Sequence, residues 1–206
     1  SAILSQLIVG NGTTISGSGE VVLMNSDDLP ASSAAIRGGT SAAGAVTNDA
    51  NHTVRGEGSV LQFWINEGVF RAEETSGDSS AVLLLDGSTF VNNGELRSSP
   101  GATITLDFTT YSQGASGQLI ADTDNITFSG VTTVSGGSLE TVGGGIFEAN
   151  GLITLSGVTV NAPIDNTNTS GSRRLYGDSG GITNNSTITL DGQSGSISQF
   201  GFTSPS

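Results

Sequence analysis

Apolar segments that end in the same way recur along this chain and constrain its fold more than any other feature. Each is a short run of Val, Ile, Leu or Phe followed by Asp or Ser and then Gly. Such segments occupy residues 82–87, 126–130, 153–157 and 188–192, and residues 104–107 repeat all but the Gly. If Leu85, Leu106, Phe128, Leu155 and Leu190 are equivalent, the spacings are 21, 22, 27 and 35 residues. The first two spacings indicate a structural repeat, and the longer ones indicate a repeat with inserted loops.

Within each segment apolar and polar residues alternate, as in residues 103–106 and 187–190. This period of two is typical of a strand with one buried face, and turn residues bound every segment. Two all-β architectures fit such strands, an antiparallel sandwich and a solenoid of stacked coils. Because equivalent positions stack about 4.8 Å apart in a solenoid, only that fold explains a repeated ending.

We therefore predict an all-β fold, a right-handed parallel β-helix of roughly eight coils that forms a single domain over residues 1–206. Residues 25–45 and 165–180 lack the strand pattern and are predicted to be loop insertions, where a solenoid can carry a recognition surface. The stretch that begins at Thr14 matches one that begins at Thr53, 39 residues later, which we interpret as a separation of two coils.

Charge and composition exclude several classes of partner. Nineteen acidic residues oppose six arginines and no lysine, so the net charge is -13. Nucleic acids and anionic membrane surfaces are poor partners for such a chain, because both are bound through Lys and Arg. The longest apolar run, residues 81–85, is far shorter than a membrane span of about 20 residues. There is no cysteine for a disulfide, a thiol nucleophile or a thiolate zinc site.

Residues 34–39, 46–58 and 65–72 follow one another in an order that resembles the repeats of large secreted bacterial β-helix proteins. The similarity is to hemagglutinin-like adhesins and autotransporter passengers, and it is clearest over residues 46–107. It implies an extracellular or cell-surface location in bacteria and a role in adhesion, a matrix or a filament. It carries over no catalytic residue.

No residue pattern predicts an enzyme. Glycoside hydrolysis needs paired carboxylates about 5–9.5 Å apart, and the close aspartate pairs are Asp27/Asp28 and Asp122/Asp124. Both pairs are expected in solvated turns. His52 is the one histidine and is expected in a turn, so it is a poor general base. Arg173 and Arg174 form the one basic pair, which we place in a loop, where it could clamp a carboxylate or an acidic sugar.

No cofactor is predicted, and calcium is the one candidate ion. Asp86, Asp107 and Asp191 recur at one position of the repeat, and stacked carboxylates repel unless a cation bridges them. The weak calcium candidates are Asp86, Asp107, Asp191, Asp122 and Asp124.

Both termini are apolar and are candidate assembly segments. The candidates there are Ile3, Leu4, Leu7, Ile8, Phe200 and Phe202, which would form caps, truncated coils or strands that pair with another subunit. Surface aromatics are also candidates for contacts, chiefly Trp64 and Tyr176, and with them Tyr111. In a regular strand either Phe63 or Trp64 must face outward.

The leading hypothesis is a non-catalytic extracellular protein, a rigid stalk, adhesin or self-assembling fibre or matrix subunit. Its expected partners are further copies end to end or neighbouring domains of a longer chain. The alternative is a carbohydrate-binding or carbohydrate-cleaving β-helix of the tailspike or pectin-lyase type, which makes a glycan the other candidate partner.

Overall fold

A computed structural model describes residues 5–25, 34–75, 77, 81–130, 133–166, 172–192 and 197–202. These residues form a right-handed parallel β-helix, which confirms the predicted fold class. Its strands line three faces of a rod, and successive coils contribute to all three. In the part of the chain that the structure describes, no helix is long and apolar enough to cross a membrane.

The first two faces belong to one 15-stranded sheet, because three long strands bend from one face to the other. The first face stacks β1 (Ser5–Ile8), β4 (Ala34–Arg37), β7 (Gly58–Asn66), β9 (Ala81–Asn92), β11 (Ala102–Gln113), β13 (Ile126–Phe128), β16 (Phe147–Ala149), β19 (Ile164–Asp165) and β22 (Ile188–Thr189). The second face stacks β2 (Thr14–Ile15), β5 (Val46–Asn48), the distal halves of β7, β9 and β11, then β14 (Thr133–Ser135), β17 (Leu152–Ser156), β20 (Ser172–Gly177) and β23 (Ile197–Phe202).

The third face is a separate sheet of eight strands. It stacks β3 (Glu20–Leu23), β6 (Thr53–Gly56), β8 (Val69–Ala72), β10 (Glu95–Arg97), β12 (Gln118–Asp122), β15 (Ser138–Val142), β18 (Val158–Val160) and β21 (Ile182–Asn184). All pairings between named strands that the structure describes are parallel, and the solenoid has about 7 turns, close to the roughly eight coils expected.

Like residues stack on like residues inside the rod. One interior column of the first face runs Leu83, Ile104, Ile126, Phe147, Ile164 and Ile188, from neighbouring strands in register. On the second face, Trp64, Phe90, Tyr111, Val134 and Leu155 form another column. Nearly all of these side chains are buried, and they belong to one continuous hydrophobic cluster. Burial of apolar side chains in such columns is the main stabilising contribution to the rod.

The register confirms part of the predicted repeat and corrects the rest. Leu85, Leu106 and Phe128 are neighbours in one column, as their spacings of 21 and 22 predict. The next member of that column is Ala149, whereas Leu155 lies on the second face beside Val134. The 39-residue spacing was also misinterpreted, because Thr53 pairs with Glu20 of the adjacent coil, 33 residues earlier.

Strands also occur inside the two segments predicted to be loops. β4 lies within 25–45 and β20 lies within 165–180, so the predicted insertions are shorter than expected. Residues 26–33 and 167–171 of those segments lie outside the described residues. The sequence pattern missed β20 because Arg173 shares a side with the buried Leu175 and interrupts the apolar alternation. It missed β4 because that strand has one large apolar residue, Ile36.

A row of buried amides marks the corner between the second and third faces. The Nδ2 of Asn48 donates to Asn66 Oδ1 at 2.8 Å, and Asn66 Nδ2 donates to Asn92 Oδ1 at 2.8 Å. Asn92 Nδ2 then donates to Gln113 Oε1 at 3.2 Å. Each amide also donates to backbone carbonyls of the turn on the next coil. The row satisfies polar groups that the sharp corner would otherwise bury without partners.

His52 closes the amide row at the end nearer the N-terminus. Its Nδ1 lies 2.7 Å from Asn48 Oδ1, and because a carbonyl oxygen only accepts, the Nδ1 atom carries the proton. On the preceding strand the residue in register with Asn48 is Ile15, and the Ile15 side chain has no amide to extend the row. His52 is buried at this turn, where it has a structural partner.

Tyr111 is fully buried, and its hydroxyl donates to Gln113 Oε1 at 3.3 Å. Burial raises the pKa of Tyr111 far above its usual value near 10, although a hydrogen bond with Asn92 opposes the shift. The folded state therefore holds the proton at a pH where the unfolded chain releases it. We expect the free energy of unfolding to fall above about pH 10, at up to about 1.4 kcal/mol per pH unit.

Urea unfolding at a series of alkaline pH values measures this dependence. The Tyr111→Phe variant should have a weaker dependence than the native protein, whereas Tyr176→Phe, at a half-buried position, should retain it. An unchanged slope in Tyr111→Phe would show that other groups cause the alkaline loss of stability.

Candidate functional site

The first candidate surface is the end of the rod formed by β1, β2 and β3. Each of these strands has one hydrogen-bonded neighbour among the described strands, so one edge of each remains unpaired there. Leu7 belongs to an interior column and stacks on Ile36, which is fully buried, yet 45% of Leu7 is exposed. Ile8 faces outward beside it and is 73% exposed. A depression of about 460 Å³ at this end reaches the interior between Leu7, Val21 and Leu23.

The opposite end of the rod also exposes apolar side chains. Leu190 directly follows Thr189, which pairs with Asp165 in register, and it is 45% exposed. On the second face, Phe202 occupies the interior column above Gly177 and is 71% exposed. Its ring meets Phe200 edge to face, with the centroids 5.3 Å apart. Of the predicted assembly residues, Leu7, Ile8, Phe200 and Phe202 therefore lie at the ends, and Ile3 and Leu4 lie outside the described residues.

A cleft on the side of the rod is the second candidate. It lies where the first face bends into the second and has a volume of about 440 Å³. Its outer walls come from one outward-facing register column, in which Arg37, Leu61 and Asp86 follow one another on three coils. The cleft is lined by Arg37, Thr40, Leu61, Gln62, Phe63, Asp86, Gly87 and Ser88.

An irregularity in the strands shapes this cleft. The register between β7 and β9 shifts by one residue between Leu61 and Phe63, and Gln62 has a positive φ of 79°. Such a backbone conformation costs on the order of 1–3 kcal/mol in a residue other than Gly. Gly87 on the next coil is required because a Cβ there would meet the Gln62 carbonyl and the Phe108 ring. Phe63 faces outward and is half-buried, so the bend presents part of an aromatic ring to the cleft.

Trp64 lies directly beneath the cleft and is buried, so its assignment as a surface contact residue was wrong. Its indole Nε1 donates to the Leu61 carbonyl at 2.8 Å, and Gly38 leaves room for the ring. The expectation that one of Phe63 and Trp64 faces outward is met by Phe63. Tyr111 is also interior, whereas Tyr176 is half-buried on the second face.

The aspartates expected to bind calcium are dispersed. Asp86 and Asp107 are neighbours in register and both are exposed, but Asp191 lies four coils further along the rod. Asp122 accepts from Arg97 Nη2 at 2.6 Å, and Asp124 accepts from the backbone N–H of Gly101 at 2.6 Å. In the described ranges, no three His, Asp or Glu side chains form a cluster that could hold a metal ion. The stacked triple of aspartates that the repeat predicted is therefore absent from these residues.

A row of ion pairs runs along the outside of the third face. Arg55, Arg71 and Arg97 stack on three successive coils, and Glu73 accepts from both Arg55 and Arg71. Arg55 binds Glu20 at 2.6 Å and Glu73 at 2.9 Å. The hydrogen bond to Arg55 lowers the pKa of Glu20, and the hydrogen bond to Asp122 raises the pKa of Arg97. Asp122 is thus an ion-pair partner rather than a free carboxylate.

Arg173 and Arg174 lie on β20, so their placement in a loop was wrong. Adjacent residues of a strand point to opposite sides. Arg173 shares a side with the buried Leu175, and Arg174 is exposed on the other side. The two guanidinium groups therefore do not face one ligand together.

Sequence reasoning missed the cleft residues Arg37, Gln62 and Phe63. Segments 34–39 and 58–66 contain them, but the side chains that line the cleft depend on a one-residue register shift between β7 and β9, which the sequence pattern does not predict. Comparison with protein-family models, with curated proteins and with solved structures gives no match.

Proposed function

We propose that this chain is a non-catalytic structural module, a rigid β-helical rod whose copies stack end to end into a fibre or stalk. The observation that carries the proposal is a core column of the first face that continues to both ends of the rod. Leu7 and Leu190 belong to the same column at opposite ends, and each is 45% exposed. A hydrophobic interior that opens to solvent at both ends is stabilised when another coil covers it.

The geometry of the strands favours a head-to-tail contact. The last strands and the first strands run in the same direction around the rod and occupy the same faces. Stacking β22 and β23 of one copy on β1 and β2 of the next would continue the parallel hydrogen bonding. Because the two contacting surfaces differ, such a contact does not close on itself and generates a filament.

We place this function outside the cell, at a bacterial surface or in a matrix. The absence of cysteine, the net charge of -13 and the resemblance to secreted β-helix adhesins support that location. The acidic surface keeps separated rods soluble and weakens their approach at low salt. Screening at physiological ionic strength, where the Debye length is about 8 Å, should therefore promote stacking.

Light scattering after size-exclusion chromatography, together with negative-stain electron microscopy, tests the proposal. We expect end-to-end oligomers or filaments whose length increases with salt and protein concentration. Leu7→Lys at one end or Phe202→Lys at the other should each prevent growth, because both place a charge in the contact. Val142→Lys is the matched control, since Val142 is 47% exposed on the side of the rod. Rods that stay monomeric under all conditions would contradict the stacking of copies.

A further inference from the structure

We propose that the cleft at the bend between the first and second faces binds an uncharged saccharide. This inference concerns the side of the rod and does not depend on stacking at its ends. The cleft volume of about 440 Å³ falls within the range of small-molecule sites, about 300–1,000 Å³. The strands that carry Arg37 and Asp86 are two spacings apart, about 9.6 Å, and Leu61 of the intervening strand lies between them, so a sugar ring would rest on Leu61 with a polar group on either side.

The lining groups match the chemistry of a polyol. A sugar hydroxyl both donates and accepts hydrogen bonds, so a site that binds it needs both acceptors and donors. Asp86 supplies a carboxylate that only accepts, and Arg37 supplies N–H groups that only donate, one of which already binds Gln6 Oε1. The amide of Gln62 and the hydroxyl of Ser88 can do both, whereas the hydroxyl of Thr40 already donates to Asn11 Oδ1 and can only accept from a sugar.

The half-buried Phe63 ring gives the cleft an apolar element. The carbon-bound hydrogens on one face of a pyranose are apolar, and an aromatic ring offers them a flat surface of matching polarity. A site with one aromatic surface and a few convergent polar groups is the usual composition of a small-ligand pocket.

Charge selects an uncharged ligand over an acidic one. Within the lining, one guanidinium opposes one carboxylate, so their charges cancel. Asp107 lies next to Asp86 in register, and the whole protein carries a net charge of -13, which repels anions. Uronic and sialic acids should therefore bind more weakly than neutral hexoses.

The backbone conformation at the cleft also favours a binding site. Gln62 keeps a left-handed conformation, although glycine would adopt it without strain, and its side chain lines the cleft. Bulges and strained residues of this kind are concentrated where a strand must re-aim its side chains. Thr40, on the opposite wall, is held by hydrogen bonds from its backbone N–H and hydroxyl to Asn11 Oδ1, at 2.9 and 3.2 Å.

The single tryptophan reports binding without a label. The indole N–H of Trp64 donates to the carbonyl of Leu61, which lines the cleft. In a ¹⁵N-labelled sample the protein has one indole cross-peak, because the sequence has one Trp. We would titrate the full chain with glucose, galactose, mannose, N-acetylglucosamine and their disaccharides, and separately with galacturonic acid.

We expect at least one neutral saccharide to shift the Trp64 indole peak and the amides of Leu61–Phe63 in a saturable manner. Asp86→Asn and Phe63→Ala should each weaken binding about tenfold or more. Asp107→Asn should change affinity less than about twofold, because Asp107 is the same residue type on the next coil but lies outside the lining. Asp86→Asn is an exposed, isosteric change, so its effect on binding can be separated from an effect on folding.

Three results would overturn the inference. One is the absence of any shift at Trp64 and Leu61–Phe63 with every neutral saccharide. Another is an equal loss of affinity in Asp107→Asn and Asp86→Asn. The third is tighter binding of galacturonic acid than of the neutral hexoses, which would assign the cleft to anions. Failure of the rods to stack leaves all three readouts intact, because they are measured on the single chain.

Discussion

Replacing Phe90 with alanine should lower the free energy of unfolding by about 4 kcal/mol. Phe90 is fully buried at the centre of an aromatic cluster. Its ring lies 5.5 Å from Phe70 and 5.4 Å from Phe108 between centroids, and it stacks on Tyr111 at 6.0 Å. The change removes these contacts together with the apolar area that the ring buries.

A β-helix has little means of closing the resulting cavity. Phe90 lies on β9, which is hydrogen-bonded in register to β7 on one side and β11 on the other. These ladders hold the coils at a fixed spacing, so the interior cannot collapse along the rod without breaking backbone hydrogen bonds. The cost should therefore lie in the upper part of the range for buried aromatic truncations.

Phe202→Ala is the matched control for this prediction. Phe202 also occupies an interior column, but it is 71% exposed at the end of the rod. Its truncation should cost less than about 1 kcal/mol in dilute, low-salt solution, where stacking is weakest. Urea unfolding followed by far-ultraviolet circular dichroism compares the two variants. Equal losses would show that burial depth within the column does not determine stability.

The sequence predicted which residues stack in one interior column, but it did not predict which face of the rod a strand joins. The 21- and 22-residue spacings of Leu85, Leu106 and Phe128 predicted true neighbours, because no insertion interrupts those coils. Leu155 was misassigned because strands of the first and second faces have the same alternation and the same Gly-rich endings. A periodic pattern identifies a buried side of a strand but does not identify which of three equivalent faces that strand joins.

Departures from regular geometry were the least predictable features, and they shape the candidate cleft. The one-residue shift beside Leu61 and the positive φ of Gln62 determine which side chains line it. Neither follows from local propensity, since Gln is a poor choice for a left-handed position. The end surfaces were more predictable, because apolar residues at Leu7, Ile8 and Phe202 are unusual at the edges of a sheet.

The amide row depends on the same corner geometry and yields the second large prediction. Asn92→Ala should lower the free energy of unfolding by about 3 kcal/mol. Asn92 is fully buried, and its Oδ1 accepts from Asn66 Nδ2 at 2.8 Å. Its Nδ2 donates to Gln113 Oε1 at 3.2 Å and to the Gln118 carbonyl at 2.9 Å. Alanine removes all three hydrogen bonds and leaves the Gln118 carbonyl at the corner without its amide partner. A buried polar group that loses its partner costs about 1–3 kcal/mol by itself.

The neighbouring Asn93 supplies a control of the same residue type on the same turn. Its Nδ2 donates to Glu67 Oε1 at 2.8 Å, and both residues lie outside the buried row. Asn93→Ala should therefore cost less than about 1 kcal/mol. Asn92→Asp preserves the shape of the side chain but replaces its donor with an acceptor, so it should destabilise the protein at least as much as alanine at neutral pH. If Asn92→Ala instead behaves like Asn93→Ala, the backbone ladders alone hold the corner and the amide row contributes little to stability.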